Sequence, residues 1–302
     1  MSKNNEKTQE FFDYAKRMMQ NSKMNEDTVI TPENIYQQAH TKNRPMLLEI
    51  MRMGHLPGST ILGMENLKKL GELAESGKSC LILSEHLSNM DVPSMFTRFE
   101  DSGDEQIKQL FDKLVFVAGV KLNQTPLVKL YTEMFTRIVI YPVRGLNKIA
   151  QDESKKEEYE LAKKINMRAT RKIMELKNKS SIFVLYPAGT RYREWDPSSG
   201  KGMKETMAYL NIFDYICCCS INGNNMPPKE HEDMTRESFL QDVMVFNFGD
   251  VIETKSFIAD VAAANPNVQE KEEMRQCQVD EVMNRIKQLH IAADEYRKPY
   301  LQ

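Results

Sequence analysis

The stretch 79–91 reads SCLILSEHLSNMD, and it contains the transition that decides the fold. Its first half is a short apolar run at residues 80–83, which is typical of a buried strand. Its second half is polar and leads to Pro93, a residue type that helices tolerate only in their first turn. The stretch therefore predicts a strand, a tight connection and a helix that begins close to Asp91.

Five further apolar runs of similar length follow along the chain, and most are separated by longer helical stretches. They cover residues 114–118, 138–141, 182–186, 216–221 and 244–248. Charged segments at 151–179 and 268–289 have the pattern of long helices. Short strands that alternate with helices predict an α/β fold, in which a central mixed, largely parallel sheet is flanked by helices.

The first 78 residues show a different pattern, because their apolar side chains repeat at helical spacing without a strand-like run. Four helices are expected here: one at 11–19, one opened by Thr31 as N-cap with Pro32 after it, one at 46–51 and one at 67–74. We therefore expect two domains, a small N-terminal helical bundle over residues 1–78 and an α/β catalytic domain over residues 79–302.

Composition argues against several functional classes. The chain has 302 residues and a net charge of -2, which gives no reason to expect nucleic-acid binding. No apolar stretch approaches the roughly 18 residues of a membrane span, and the N-terminus has no apolar signal core. The five cysteines form no C-x-x-C pair, which suits reduced thiols and argues against a zinc site. The expectation is a cytoplasmic protein whose contact with a membrane is at most peripheral.

Several motif-like stretches do not carry function. Residues 71–79, GELAESGKS, have the outline of a phosphate-binding P-loop, but the glycine spacing is one residue too long and the stretch precedes a strand. We assign it to a helix end and a turn. Neither the G-x-S-x-G pattern of hydrolases nor G-x-G-x-x-G after a strand occurs. The cysteines at 217–219 lie in an apolar run and are expected in the core.

The first chemically informative pair is His86 and Asp91, which follow the predicted strand at 80–83. Open α/β sheets bind ligands at the carboxyl ends of their strands, where His86 is expected. A carboxylate bound to one imidazole nitrogen fixes the tautomer and leaves the other nitrogen as a general base. The alternative is that Asp91 only caps the helix and that His86 is an ordinary turn residue.

A second polar cluster follows the predicted strand at 182–186, where Pro187 and Gly189 make a tight turn that ends in Arg191 and Arg193. Guanidinium groups suit bidentate capture of phosphate. A third cation, Arg144, follows the strand at 138–141, so all three arginines are expected at one edge of a parallel sheet. Solvated surface arginines are the alternative. Residues expected to support the site are Ser88, Gly189 and Thr190.

Together, His86-x4-Asp91 and Pro187-x-Gly189-Thr190-Arg191 resemble the paired motifs of the H-x4-D glycerolipid acyltransferase superfamily. Within it, the chain looks most like the soluble chloroplast-type glycerol-3-phosphate acyltransferase. That closer resemblance spans residues 80–230 and rests on FVAG at 116–119, PLVK at 126–129, IVIY at 138–141, AGTRYR at 188–193 and DPSSG at 196–200.

The resemblance implies a four-helix bundle ahead of the α/β catalytic domain. It also implies that His86 is the general base and Asp91 its orienting partner. Arg191 and Arg193 match the family's phosphate-binding arginines, and Arg144 falls where the family has a phosphate-binding lysine. Three positions depart from the family pattern: Gly145 replaces a basic residue, Glu85 replaces an Asn that is common before the His, and Ala188 replaces a Glu of the wider superfamily.

The function that the resemblance implies is transfer of a fatty acyl chain from acyl carrier protein or coenzyme A to glycerol 3-phosphate, which gives lysophosphatidate. No metal or cofactor is implied beyond the acyl thioester, which is a co-substrate. Two alternatives remain: acylation of lysophosphatidate itself, and a non-catalytic protein that binds lipid or acyl carrier. Basic side chains in the segment 151–179 could meet an acidic carrier or a membrane surface, although a solvated helix has the same composition.

Overall fold

The computed structural model describes residues 3–23, 29–123, 126–230 and 237–301. Its centre is one eight-stranded sheet with the order β1-β5-β4-β6-β3-β7-β8-β2. The strands are β1 Tyr36–Gln37, β2 Thr60–Leu62, β3 Cys80–Ser84, β4 Leu114–Gly119, β5 Arg137–Ile140, β6 Ile182–Leu185, β7 Tyr215–Asn222 and β8 Val245–Glu253. Each of the six predicted strands is present within one or two residues at its start, and the α/β class is confirmed.

The five central strands, from β5 to β7, run parallel to one another. Strand β8 pairs antiparallel with β7, β2 runs parallel to β8, and β1 pairs antiparallel with β5. The sheet is therefore mixed and largely parallel, as predicted. Because the central strands are parallel, the residues that follow β3 and β6 emerge at the same edge.

Helices cover both faces of the sheet, which explains why the central strands are apolar throughout rather than alternating. Cys80 and Ile82 of β3 pack into one core, and Leu81 and Leu83 pack into a second core on the opposite face. The helices are α1 Lys3–Met19, α2 Arg44–Gly54, α3 Met64–Glu75, α4 Asp91–Glu100, α5 Glu105–Phe111, α6 Pro126–Thr132, α7 Val143–Ala150, α8 Lys156–Leu176, α9 Thr254–Ala264 and α10 Lys271–Arg297.

Helices α1 to α4 contribute to the first core, and α8 and α10 to the second. The long helices expected at 151–179 and 268–289 correspond to α8 and α10. The stretch 71–79 is the end of α3 followed by a turn in which Gly77 has a φ of 84°, as expected for a helix end. The cysteines at 217–219 lie buried within β7.

The expectation that residues 1–78 contain helices alone is wrong. Strands β1 and β2 lie in this region and form the two edges of the sheet. They have two and three residues, too few to show a period in the sequence. Helices are present at three of the four expected places, in α1, α2 and α3. Division of the chain into two domains at residue 78 stays a prediction, and the side chains of α1, α2 and α3 share one core with β3.

The second expected helix is a turn. The N–H of Thr31 donates to Asn34 Oδ1 at 2.8 Å, and the N–H of Asn34 donates to the Thr31 carbonyl at 3.3 Å. These local bonds compete with helix formation, because short polar side chains offer the backbone another partner. Ile35 then accepts from the N–H of Val139, which leads the chain into β1. Thr31 is therefore a turn residue and not an N-cap.

Within the described residues, no helix has the length and apolar character needed to cross a bilayer.

Candidate active site

His86 and Asp91 form a close pair in the connection between β3 and α4. The Nδ1 atom of His86 lies 2.7 Å from Oδ2 of Asp91. Helix α4 begins at Asp91 and has Pro93 in its first turn, as predicted. The connection is short enough to fold the carboxylate back onto the ring. Asp91 is buried, whereas the His86 side chain keeps 20% of its surface exposed.

The same oxygen of Asp91 accepts two further hydrogen bonds. The N–H groups of Leu87 and Ser88 donate to Oδ2 at 2.8 and 3.0 Å. An oxygen that accepts from three donors is held firmly in place, and it is best satisfied when the imidazole carries its proton on Nδ1. In that tautomer the Nε2 atom has a free lone pair and can act as a base.

Ser88, which was expected to support the site, serves the loop itself. Its hydroxyl donates to the carbonyl of Met226 at 3.0 Å and accepts from the N–H of Met90 at 3.0 Å. Because the N–H groups of Leu87, Ser88 and Met90 are all engaged inside the loop, they are not free to bind an oxyanion.

The arginine-bearing turn after β6 is bonded directly to the His86 loop. The N–H of Tyr192 donates to the carbonyl of His86 at 2.8 Å. Gly189 has a φ of 65°, a conformation that favours glycine, and a Cβ there would lie 2.9 Å from the sulfur of Met203. Thr190 is half-buried in the same turn. The His86 loop and the arginine-bearing turn, which were predicted to lie at one edge of the sheet, are thus joined by a backbone hydrogen bond.

Arg191 already has a protein partner. Its Nη1 donates to both carboxylate oxygens of Glu237, at 2.9 and 3.2 Å. The side chain of Glu237 is 2% exposed and that of Arg191 is 16% exposed, so the pair is largely shielded from water. Burial raises the pKa of Glu237 above its ordinary value, although the charge and hydrogen bond of Arg191 oppose this shift. Arg191 is therefore neutralised in part before any substrate binds.

Arg144 and Arg193 differ from Arg191, because in the described part of the chain no carboxylate pairs with either. Arg193 is half-buried, and its N–H donates to the hydroxyl of Ser199 at 2.8 Å. Arg144 lies in the first turn of α7, and its Nε is 3.3 Å from the Met203 sulfur. Since the same sulfur lies against Gly189, Arg144 is close to the turn that carries the other two arginines.

An aromatic ring supports His86 from the end of β6. The rings of Tyr186 and His86 are stacked, with their centroids 4.2 Å apart and an angle of 24° between their planes. Two more aromatic side chains, Tyr192 and Trp195, are 41% and 42% exposed on the turn that follows. The surroundings of the imidazole therefore combine buried polar groups, cations and exposed aromatic surface.

Glu85 links the site to the C-terminal helix α10. One carboxylate oxygen, Oε2, accepts from the N–H of Ile221 at 3.0 Å and lies 2.8 Å from Nδ1 of His290. Asp294 lies 3.5 Å from the other ring nitrogen of His290. Burial opposes the charged form of His290, but the hydrogen bond and charge of Glu85, together with Asp294, raise its pKa above the ordinary value.

The buried thiols are poor nucleophiles. Burial raises the pKa of both Cys80 and Cys218 to about 12, so both are protonated at neutral pH. Within residues 3–23, 29–123, 126–230 and 237–301, no group of three His, Cys, Asp or Glu side chains is arranged to hold a metal ion. The reactive group that the geometry favours at this edge of the sheet is the imidazole of His86.

No family model matches this sequence. No curated protein is similar enough to be matched either. Among solved structures, the chain has some similarity to the 1-acyl-sn-glycerophosphate (LPA) acyltransferase, PlsC, from Thermotoga maritima. The similarity has a TM-score of 0.40 and 17% sequence identity, and it covers 82% of this chain and 81% of that chain. A similarity of this level does not identify the substrate of this chain.

The basic side chains expected to meet a carrier or a membrane lie on α8, where acidic residues are interspersed with them. They are Lys156, Lys163, Lys164, Arg168, Arg171 and Lys172, together with Lys155 directly before the helix. Lys163 bonds to Glu160 at 2.7 Å and Lys172 bonds to Glu175 at 3.0 Å, both at a spacing of three residues. Such pairs are common on solvated helices. Docking of a carrier on this helix stays a prediction.

Three residues near the site are absent from the sequence-based expectations. Tyr186 was assigned to the end of a strand, and its stacking on His86 depends on how neighbouring strands align. Glu237 lies 46 residues from Arg191, and His290 lies 205 residues from Glu85. Spacing along the chain carries no signal for contacts at such separations. For the contact between Glu85 and His290 the sequence offered one clue, namely that Glu85 stands where the resembled family often has an Asn.

Proposed function

We propose that this protein transfers a fatty acyl chain from an acyl thioester to the 1-hydroxyl of glycerol 3-phosphate, with lysophosphatidate as the product. One arrangement supports the proposal above all others. The imidazole of His86 is bound to the buried Asp91 at 2.7 Å, and the carbonyl of His86 is bonded to the turn that bears Arg191 and Arg193. This arrangement would supply a base and a set of cations at one sheet edge.

In the proposed reaction, Nε2 of His86 removes the proton from the acceptor hydroxyl as the oxygen attacks the thioester carbonyl. The tetrahedral intermediate then collapses, the carbon–sulfur bond breaks, and the imidazolium returns its proton to the leaving thiolate. Asp91 holds the ring and stabilises the imidazolium without taking the proton itself. Because the acceptor supplies the nucleophile, no acyl-enzyme is needed. Binding both substrates in one cleft removes a large entropic barrier.

The phosphate of the acceptor would bind to the arginines. In the described residues Arg144 and Arg193 have no acidic partner, and both lie at or beside the turn that is bonded to His86. Arg191 bonds to Glu237 through Nη1, and within the part of the chain that the structure describes its Nε and Nη2 donors have no partner. We propose that these three side chains anchor the phosphate, which orients the hydroxyl toward His86.

Lysophosphatidate is a second candidate acceptor, in which case the product would be phosphatidate. The observation that favours it is the exposed aromatic surface of Tyr192 and Trp195 beside the arginine turn. Such surface suits an acceptor that already carries an acyl chain. Both acceptors present a phosphate and a free hydroxyl, so the proposed chemistry at His86 is the same for each.

The test offers the purified protein radiolabelled glycerol 3-phosphate or lysophosphatidate, each with acyl-CoA and with acyl carrier protein, and separates the products by thin-layer chromatography. We expect labelled lysophosphatidate from glycerol 3-phosphate, and none from the His86→Ala variant. If label appears only in phosphatidate, the acceptor is lysophosphatidate and not glycerol 3-phosphate. If the protein binds these substrates but no combination of acceptor and donor gives a product, the enzymatic proposal is contradicted. The protein would then be a lipid-binding protein.

A further inference from the structure

Tyr186 contacts the proposed catalytic pair through its ring, and its hydroxyl is a second feature of interest. The ring is stacked on the imidazole of His86, as described above. The hydroxyl oxygen is buried and has no hydrogen-bond partner among the described residues. A phenol of this kind is unusual, because buried tyrosine hydroxyls normally find a partner.

The other orphaned atom at this place belongs to Asp91. Its Oδ2 accepts three hydrogen bonds, whereas Oδ1 is buried without a partner in the part of the chain that the structure describes. Burial and the negative charge of Asp91 raise the pKa of Tyr186 well above its ordinary value, so the phenol stays protonated at neutral pH. An unpaired donor thus belongs to the residue stacked on His86, and an unpaired acceptor belongs to the carboxylate bonded to His86. Each is costly if left unsatisfied.

We propose that Tyr186 is a positioning residue for the general base, and this inference rests on the function proposed above. The face of its ring holds the imidazole in plane and stabilises the positive charge that His86 acquires when it takes a proton. Its hydroxyl, which has no partner among the described residues, would turn to donate to Oδ1 of Asp91 when His86 becomes charged, so that both carboxylate oxygens are then held. The two contributions belong to different atoms and can be separated by substitution.

The experiment compares Tyr186→Phe, which keeps the ring, with Tyr186→Leu, which removes it. Tyr131→Phe is the matched control, because Tyr131 is also a buried tyrosine whose hydroxyl has no partner among the described residues. We expect kcat to fall about threefold in Tyr186→Phe and roughly tenfold in Tyr186→Leu, with little change in the KM of either substrate. Tyr131→Phe should keep wild-type kinetics.

A second readout does not depend on turnover. The Nδ1 proton of His86 is shared with Asp91 and should give a low-field proton resonance in nuclear magnetic resonance spectra, assigned by its loss in His86→Gln. We expect this resonance to shift in both Tyr186 variants and to stay unmoved in Tyr131→Phe. A structural role alone would lower stability without moving it.

A Tyr186→Leu enzyme with wild-type kcat, or with an unmoved His86 resonance, overturns the proposal. Wild-type kcat in Tyr186→Phe overturns the role of the hydroxyl. If Tyr186→Leu does not fold, Tyr186→Met, which also removes the ring, takes its place under the same criteria. If the wild-type protein acylates no acceptor, the proposed function fails, yet the resonance still reports whether Tyr186 positions His86.

Discussion

Nη1 of Arg191 donates to both oxygens of the buried Glu237 carboxylate, so removal of Arg191 does more than remove a phosphate ligand. Arg191→Met leaves the buried Glu237 carboxylate with its hydrogen bond to Asn89 but without its ion-pair partner, which is costly. We expect the free energy of unfolding to fall by about 2–3 kcal/mol, measured by urea denaturation. The KM for the phosphate-bearing acceptor should rise in the same variant.

The double variant Arg191→Met with Glu237→Gln separates these two effects. It removes the stranded carboxylate charge, so most of the lost stability should return while the KM for the acceptor stays high. Recovery of both quantities together would show that Arg191 has a structural role only. A single variant as stable as the wild type would mean that the ion pair contributes little.

His86→Ala should abolish measurable acyl transfer while the protein remains folded. Loss of a general base lowers kcat by roughly 10²- to 10⁴-fold, and a partly exposed side chain can be truncated without opening the core. Initial rates with the best acceptor and circular dichroism spectra provide the measurements. His40→Gln is the control, because His40 follows the edge strand β1 and is far along the chain from the site loops. A kcat of His86→Ala within about tenfold of the wild-type value would refute the assignment of the base.

Arg144→Ala and Arg193→Ala should mainly raise the KM for the acceptor, by roughly tenfold each, because a charge-assisted bond to phosphate is lost. Unlike Arg191, neither side chain has an acidic partner within the described residues, so stability should change by less than about 0.5 kcal/mol. Steady-state kinetics with each substrate varied in turn measure the effect. A raised KM for the acyl thioester instead would assign these cations to the donor.

Sequence patterns predicted the central sheet well, since strands such as β3 and β4 are short, buried on both faces and bounded by helices. The edge strands were missed because two or three residues show no period, and their strand character comes only from pairing with β5 and β8. Thr31 and Pro32 have the residue types of a helix start, yet local side-chain bonds make a turn there.

The candidate site likewise has contacts that the sequence predicted and contacts that it did not. The contact between His86 and Asp91 spans five residues, so the order of strand, loop and helix was enough to predict it. The pairing of Arg191 with Glu237 and that of Glu85 with His290 join distant parts of the chain, and their existence depends on the packing of whole elements. A single sequence holds no periodicity or spacing that would indicate either pair.

The His290 cluster should make stability depend on pH. The folded-state pKa of His290 is raised above the ordinary value of 6.5. Its stabilising effect is therefore fully present below that value and is lost as pH rises through the folded-state pKa. We expect His290→Gln to lower the free energy of unfolding by roughly 1 kcal/mol near pH 6 and by much less near pH 9. Denaturant titrations at the two pH values measure the difference.

The charged groups that face His290 are Glu85, Asp294 and, beyond Asp294, Arg297. The two carboxylates favour the charged ring, and Arg297 opposes it. Glu85→Gln should remove most of the pH dependence, since it takes away the closest negative charge. A loss of stability in His290→Gln that grows toward alkaline pH would contradict this account of the cluster.

Trp195 is the single tryptophan of the chain, and it lies half in solvent on the turn that is anchored to the proposed base. Indole emission responds to the polarity around the ring. The spectrum of the whole protein is consequently a readout of this one turn, free of contributions from other indoles. Binding of a lipid tail, a carrier or a bilayer beside the arginines would therefore shift the fluorescence emission maximum of the unlabelled protein.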